Sequence, residues 1–188
     1  MKKFFIALFL LGGFLLSGAQ NNEQIILKSN LGKNTSIRLS ISAKSKSVQI
    51  DLGSGEKKKY TVSSDVSKPT SVELTLPVAS PTLVLEGDLL GIECSSMELT
   101  ELDCSKAKSL LVLKCDMNKL KNLDVSQNER LARLYCDNNE IETLTLGTAS
   151  ELLLLYCQGN RISSLDLMRA VKLIELGCYK NKLNSLSV

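Results

Sequence analysis

A repeat of 21 residues runs through the second half of the chain and constrains its fold more than any other feature. Leucine or isoleucine recurs at this interval at four positions of the repeat. Columns held in phase over five repeats predict a solenoid at residues 89–188, in which stacked coils bury one continuous core. Two further columns are Cys94, Cys115, Cys136, Cys157 and Cys178, and Asn118, Asn139, Asn160 and Asn181, with Met97 in the first repeat.

Each repeat contains a short segment in which inward and outward residues alternate. The shared pattern is LxxLxCxxN, so repeat positions 4 and 6 face the core from an extended strand and positions 3, 5 and 7 face outward. The pattern predicts one short parallel strand per coil, about 4.8 Å from the next. The asparagine amide that follows can both donate to and accept from backbone groups left unpaired by the turn.

This pattern resembles the leucine-rich repeat, in the short form of bacterial surface proteins. It is most similar to the internalin group and, within it, to members with a cysteine ladder. The resemblance covers residues 89–188. It implies a leucine-rich repeat solenoid with a short parallel β-sheet on its concave face and a mostly irregular or extended convex side. It also implies binding as the usual activity.

The cysteines are predicted to be structural thiols. Their column replaces an inward leucine, and neighbouring Cβ atoms about 4.8 Å apart are farther apart than the roughly 3.5–4.5 Å of a disulfide. Cys104 lies in a second inward column with Val125, Leu146, Leu167 and Val188. Six free thiols are therefore expected. Some bridging is the alternative, and a linear column offers no tetrahedral set for zinc.

Residues 20–88 lack the repeat and alternate between apolar and polar residues in short runs. Such runs, broken by Gly, Ser, Asn and Pro, predict a small all-β, sandwich-like domain that caps the first coil. The segment DLGSGE at residues 51–56 predicts a hairpin turn. It resembles the turn of PKD-like and other immunoglobulin-like modules. The lysines at 57–59 are expected to protect a sheet edge, the alternative being an anion-binding patch.

The first 19 residues have the pattern of a secretory signal peptide. Lys2 and Lys3 precede an apolar run, and Ser17-Gly18-Ala19 supplies small residues at the cleavage site. The run is too short to span a bilayer, which needs about 20 residues. Cleavage would leave no stable membrane span. The protein is therefore expected to be secreted or held at the cell surface, with the periplasm as the alternative.

Composition removes several classes of function. The chain has no histidine, which excludes His-based triads, Cys–His dyads and His-ligated metal sites. Removal of the signal leaves 21 basic and 20 acidic side chains, too balanced for typical nucleic-acid binding. No catalytic residue, metal site or cofactor site can be named, and the chain is expected not to be an enzyme.

The outward positions of the repeat strands supply the candidate binding residues. Exposed tyrosines beside an arginine are typical of interface anchors and of sugar-stacking platforms. Cross-strand pairing that only stabilises the sheet is the alternative. The candidates on the concave face are Lys114, Arg133, Tyr135, Asp137, Leu154, Tyr156, Gln158, Glu175 and Tyr179.

These features together predict a non-enzymatic binding module for protein recognition or adhesion. Its expected partner is an extracellular protein of a host or of a bacterial surface. Two alternatives stay open: a carbohydrate-binding module that recognises a glycan, and a structural component that self-associates. Self-association would use the fifth coil, where the sequence ends without a polar capping segment.

Overall fold

The computed structural model describes residues 23–188, so the predicted signal peptide lies outside the described residues. This range contains sixteen β-strands and no helix, and hence no helix that could cross a membrane. The strands are β1 Gln24–Ser29, β2 Ser36–Ala43, β3 Ser47–Asp51, β4 Lys57–Thr61, β5 Thr70–Thr75, β6 Thr82–Glu86, β7 Leu89–Glu93, β8 Leu99–Asp103, β9 Val112–Lys114, β10 Asn122–Asp124, β11 Arg133–Tyr135, β12 Thr143–Thr145, β13 Leu154–Tyr156, β14 Ser164–Asp166, β15 Glu175–Gly177 and β16 Ser185–Ser187.

The second half is a parallel β-solenoid of five coils, which confirms the predicted repeat architecture. Strands β7, β9, β11, β13 and β15 pair in parallel, each residue opposite the residue 21 positions later in the chain, as Leu134 is opposite Leu155. The other side of each coil is also extended. There β10 pairs with β12 and β14 with β16, again in parallel.

Apolar columns fill the solenoid from its first coil to its fourth. The leucines at repeat positions 1 and 4 are buried there, as are the first four cysteines of the column. Each coil is covered by its two neighbours, as repeat proteins require. The fifth coil is therefore less buried: Cys178 is half-buried, and Val188, predicted to face inward, is 87% exposed because no later coil of the described chain covers it.

The first half of the chain forms strands β1 to β6, which lie in two sheets. One sheet has the order β4-β3-β6-β1-β8, and the other continues from β5 and β2 into β7 and the repeat strands. Apolar side chains from both sheets are buried between them, for example Leu27, Leu39 and Leu85. The alternating runs of the sequence thus lie in strands, with their apolar residues inward.

The sheets pass across residue 88 without a break. Ile41 of β2 is opposite Ile92 of β7, and Leu27 of β1 is opposite Leu102 of β8, both in antiparallel pairs. Buried residues of the two halves belong to one hydrophobic core. The division into a capping domain and a repeat domain stays a prediction, since the two parts share sheets and core.

The predicted hairpin at residues 51–56 joins β3 and β4. Asp51 Oδ1 accepts hydrogen bonds from the backbone N–H groups of Gly53 and Gly55, at 2.8 and 3.0 Å. Both glycines have positive φ, which a side chain would disfavour. The lysines at 57–59 lie in β4, an edge strand of its sheet, where lysine discourages pairing with other chains.

A column of charged residues, alternating in sign over the first four coils, lies beside the asparagine column on the surface of the coils. Ion pairs join neighbouring coils: Lys119 contacts Glu98, and Arg161 Nη1 lies 3.0 Å from Glu140 Oε2. Each pair is substantially exposed and contributes at most about 1 kcal/mol. The full column is Glu98, Lys119, Glu140, Arg161 and Lys182.

Candidate binding face

The predicted binding residues share one surface of the molecule. They lie on the outward side of β9, β11, β13 and β15 or immediately after these strands. We call this side of the seven-stranded sheet, with its continuation onto β7, β2 and β5, the sheet face. Arg133, Glu175 and Tyr179 are exposed, and the others are half-buried: Lys114, Tyr135, Asp137, Leu154, Tyr156 and Gln158.

A continuous column of interacting side chains runs along repeat position 5. Lys114 Nζ lies 3.4 Å from Glu93 Oε2 and 5.5 Å from the centre of the Tyr135 ring. The rings of Tyr135 and Tyr156 stack, with centroids 5.2 Å apart and planes at 12°. One face of Tyr135 is therefore towards the Lys114 ammonium and the other towards Tyr156. Cation–π and stacking contacts of this kind fix the ring positions.

Gly177 ends this column and makes room for the second tyrosine. A Cβ atom on Gly177 would lie 2.8 Å from Cδ1 of Tyr156 and 2.6 Å from Oε1 of Gln158. Real Cβ atoms essentially never approach other atoms so closely. The ring of Tyr156 therefore packs over the glycine backbone. The sequence marks this position only as a break in the column, so its role was missed.

The hydroxyl group of Tyr156 interacts with Glu175 on the next coil. Hydrogen bonding to the Glu175 carboxylate, then burial and the carboxylate charge, raise the pKa of Tyr156 to about 12. The phenol consequently stays protonated at all physiological pH values. It can therefore act as a hydrogen-bond donor at the rim of the stack.

Repeat position 7 forms a second column on the sheet face, next to that of position 5 and more acidic than it. Ser95 Oγ donates to Asp116 Oδ1 at 2.6 Å, and Asn138 Nδ2 donates to Asp137 Oδ2 at 2.8 Å. Burial, followed by the charge of Asp116, raises the pKa of Asp137. No group of three His, Cys, Asp or Glu residues within residues 23–188 has the geometry to hold a metal ion.

Tyr179 does not join the tyrosine stack. It follows β15 at position 7 and is 64% exposed, with Lys180 Nζ 6.0 Å from its ring centre. Only Tyr135 and Tyr156 stack among the aromatic residues of the described chain. The three tyrosines expected to act together are therefore a fixed pair and a separate exposed ring.

The sheet face is longer than the five repeat strands, but its first coil is covered. Strands β2 and β5 extend the sheet to seven strands. The segment at residues 63–69, between β4 and β5, lies over the start of the repeat. Its Val66 lies 3.6 Å from the Cβ position of Gly91, and Val112 is only 9% exposed. Repeat position 3 was predicted to face outward into solvent, which is wrong for Gly91 and Val112: both are buried at this position, where the non-repeating segment lies over them.

The cysteine column lies inside the same strands. Cys94, Cys115, Cys136 and Cys157 are buried, and all six cysteines, including Cys104, are free thiols in the structure. In the five buried thiols burial is the largest cause of a raised pKa: it raises the pKa of Cys157 to about 12 and that of Cys136 well above its ordinary value. The thiols therefore stay protonated and act as small apolar side chains.

The asparagine column makes the hydrogen bonds predicted for it. Asn139 Oδ1 accepts from the backbone N–H of Leu120 at 3.0 Å, and its Nδ2 donates to the carbonyls of Cys115 and Cys136 at 3.0 and 3.1 Å. Asn118, Asn160 and Asn181 bond in the same way. Each amide therefore connects its own coil to the preceding one.

Two structural positions in the coils were missed. Asn128 is buried and donates from Nδ2 to the carbonyls of Cys104 and Ala107, at 2.9 and 2.8 Å. The residue before each column asparagine, and before Met97 in the first coil, has positive φ. These residues are Ser96, Met117, Asn138, Gly159 and Lys180, whose φ angles lie between 52° and 68°. The varied side chains conceal a shared backbone requirement.

Comparison with solved structures identifies a similar domain. The chain matches a structure described as the functional domain of InlJ from Listeria monocytogenes, which includes a cysteine ladder. The TM-score is 0.50 and the sequence identity 28%. The chain is an internalin-like cysteine-ladder repeat protein. No protein-family model matches it, and no curated protein is similar to it in sequence.

The internalin-like match has a limited extent. It covers 57% of this chain and 24% of the InlJ chain. The similarity to an internalin-type domain with a cysteine ladder suggests a protein-interaction module, and that neighbour does not belong to an enzyme family. This agrees with the prediction that the chain is a binding protein.

Proposed function

We propose that this internalin-like chain is an exported adhesion or recognition module whose sheet face binds a protein partner. The observation that supports the proposal most strongly is the fixed pair of tyrosines at its centre. Tyr135 and Tyr156 are half-buried, stacked at 5.2 Å and positioned by rigid parallel strands. Ordering an interface side chain on binding costs about 0.5–1.5 kcal/mol, and these two are already ordered.

The geometry of the stack favours a protein over a sugar. A sugar ring stacks on the exposed face of an aromatic ring, whereas Tyr135 lies between Lys114 and Tyr156 and Tyr156 packs over Gly177. The stack therefore offers ring edges and hydroxyl groups to a partner. Tyrosines that combine an apolar edge with a hydroxyl are enriched at the centres of protein interfaces.

The seven-stranded sheet provides more room than five repeat strands alone. Seven strands spaced by about 4.8 Å, each with about five residues, span roughly 550 Å² in plan, part of which, over the first coil, is covered by residues 63–69. A standard protein interface buries about 800 Å² per partner. Flanking residues such as Tyr179 would have to supply the remaining area. The area is therefore compatible with a protein interface of modest affinity.

The proposal is tested by capturing partners from extracellular protein mixtures, both host matrix and bacterial surface extracts, on immobilised protein. We expect a specific partner to be retained by the unmodified chain. The double variant Tyr135→Ser and Tyr156→Ser should lose at least about tenfold in affinity for it, since interface tyrosines are typical hot spots. Biosensor measurements with the purified partner would quantify the loss.

The matched control is Tyr60→Ser, because Tyr60 is also half-buried but lies in β4, away from the sheet face. Its affinity for the partner should equal that of the unmodified chain. Thermal unfolding of all variants separates lost binding from lost folding. Undiminished binding by the folded double variant would refute the proposed site, and retention on a polysaccharide array alone would favour the glycan alternative.

A further inference from the structure

A cavity of about 260 Å³ lies at the covered end of the sheet face. Its walls are strands β2, β7, β9 and β11 and the segment at residues 63–69. Gly91 contributes to it directly, because the other coils have Val, Arg, Leu or Glu at the same repeat position. A side chain at this position would project among Ser42, Val66 and Val112, which line the cavity, so the cavity depends on a specific replacement within the repeat.

The charges around this cavity leave one cation without a partner. Its charged lining residues are Glu93, Lys114 and Arg133. Glu93 pairs with Lys114, whereas Arg133 forms no ion pair with any carboxylate of residues 23–188. Arg133 is exposed and stands between Val112 and Leu154 in the neighbouring strands. A guanidinium group in this position can form two parallel hydrogen bonds to a carboxylate.

A buried hydroxyl group in the same cavity also lacks a partner. Ser42 is fully buried, and its Oγ atom makes no hydrogen bond. The Cβ position of Gly91 lies 2.9 Å from this oxygen and 3.6 Å from Val66 Cγ1, so both side chains lie beside the glycine, and both line the cavity. An unpaired buried hydroxyl destabilises a protein by about 1–3 kcal/mol. A small displacement of Val66 would expose it to an acceptor.

We propose that this cavity binds the side-chain carboxylate of an acidic residue on a protein partner. Arg133 holds the carboxylate at the mouth, and the Ser42 hydroxyl donates to it once Val66 moves aside. Val112, Val66 and Pro69 contact the aliphatic part of the side chain. This inference rests on the proposed function, since it assigns the chemistry that the partner presents to the sheet face.

The lining favours a carboxylate on a peptide over other anions. A phosphate carries close to two negative charges, and Glu93 in the cavity wall would repel it more strongly than a carboxylate. An acidic sugar would gain no stacking contact here, because both faces of Tyr135, the aromatic ring that lines the cavity, are occupied. Aliphatic walls suit the methylene groups of glutamate or aspartate.

The test uses the purified protein and needs no identified partner. N-acetyl-glutamate α-amide, which has one side-chain carboxylate, is titrated at low salt while NMR follows the Arg133 Nε–H and Val66 amide signals. The neutral analogue N-acetyl-glutamine α-amide and D-glucuronate are titrated in parallel. Saturable shifts of both signals with the glutamate analogue are expected, with a Kd on the order of millimolar because a single residue is bound.

Three variants complete the experiment. Arg133→Gln should weaken glutamate binding at least about tenfold, the loss of a charge-assisted pair. Arg130→Gln removes another exposed arginine, one outside the cavity, and should leave binding unchanged. Ser42→Ala should weaken binding about threefold while leaving the protein at least as stable, because it removes an unpaired buried hydroxyl.

Absence of saturable shifts, or equal binding by Arg133→Gln, would overturn the inference. Tighter binding of glucuronate than of the glutamate analogue would overturn it in favour of an acidic glycan. Failure here would leave partner capture through the tyrosines unaffected. Conversely, capture that ignores the tyrosines would refute the proposed function while these titrations could still succeed.

Discussion

The inner and outer sides of the repeat strands are formed by alternate residues of the same segments, and they follow different rules. On the inner side every coil has the same cysteine, whose neighbours above and below are also cysteines. On the outer side, position 5 changes from Glu93 to Lys114, Tyr135, Tyr156 and Gly177. The stacking of coils fixes the inner residue, whereas the outer residue only has to suit its immediate neighbours.

The difference locates where sequence is free to vary for recognition. Inner and turn positions repeat because each coil meets the same backbone groups, as the asparagine hydrogen bonds show. Each outer residue at position 5 contacts its neighbour in the next coil, and each contact is of a different kind. The four contacts are an ion pair, a cation–π contact, a stack of two aromatic rings and the packing of a ring over glycine. The residues that make these contacts can therefore be replaced one coil at a time without altering the fold.

The largest expected effect is on the inner side, at the asparagine column. Asn139→Ala would leave the N–H of Leu120 and the carbonyls of Cys115 and Cys136 without this side-chain partner. We expect the free energy of unfolding to fall by about 2–4 kcal/mol, measured by urea denaturation. The control Asn122→Ala, at an exposed position of β10, should change it by less than about 0.5 kcal/mol. Equal losses would contradict the special role of the column.

The cysteine column should show an effect that depends on the coil. Cys136→Ser places a hydroxyl group at a site with 0% exposure, which we expect to cost about 1–3 kcal/mol in unfolding free energy. Cys178→Ser, at a half-buried site of the fifth coil, should cost less than about 1 kcal/mol because water can reach the hydroxyl. Calorimetry of both variants tests this order. A larger loss at Cys178 would mean that neighbouring coils do not set the burial of the column.

On the outer side, Gly177→Ala should disturb the tyrosine stack. The added methyl group would overlap the Tyr156 ring and Gln158, so a loss of about 1–2 kcal/mol in stability is expected. If binding depends on the position of the Tyr156 ring, the affinity for the partner should fall as well. Gly32→Ala is the control: its Cβ would meet only Thr35 Oγ1, at 3.8 Å, and stability should change by less than about 0.5 kcal/mol. A crystal structure of Gly177→Ala with an unmoved ring would disprove the argument.

The smallest effect concerns the acidity of Tyr156. Its phenol should ionise near pH 12, and Glu175→Gln should lower that pKa by removing the carboxylate. Because an unfolded tyrosine ionises near pH 10, this group favours the folded state below that pH, and the contribution disappears as pH rises from about 10 through 12. Ultraviolet titration, with Tyr156→Phe to assign the signal, measures the shift. An unchanged titration in Glu175→Gln would show that Glu175 is not its cause.

The sequence predicted the inner side of the molecule well because the same contact recurs in every coil. The strand positions, the buried cysteines and the asparagine hydrogen bonds all follow from one period. It did not reveal the positive φ before each asparagine, since residues as different as Met117 and Gly159 occupy that position. A positive φ can be predicted from sequence only where glycine or asparagine occupies the position, because these residues adopt it most readily.

For the outer side, the sequence predicted which residues lie there but not which of them contact each other. Which side chains face outward follows from alternation, yet the stack of Tyr135 on Tyr156 and the glycine beneath it depend on particular neighbours. The cover that Val66 forms over Gly91 depends on a segment outside the repeat, 25 residues earlier in the chain. The same is true of the two strands that lengthen the sheet, because antiparallel pairing of β2 with β7 has no periodic signal.

The alternating surface charges bear on how such a chain can gain or lose coils by recombination. Deleting one 21-residue unit between the first and third coils would bring Glu98 next to Glu140, two acids in adjacent rungs. Deleting two would bring Glu98 next to Arg161 and restore an attractive pair. Repulsion between exposed charges is weak, a few tenths of a kcal/mol. Repeat number in this part of the chain should therefore change more readily in steps of two.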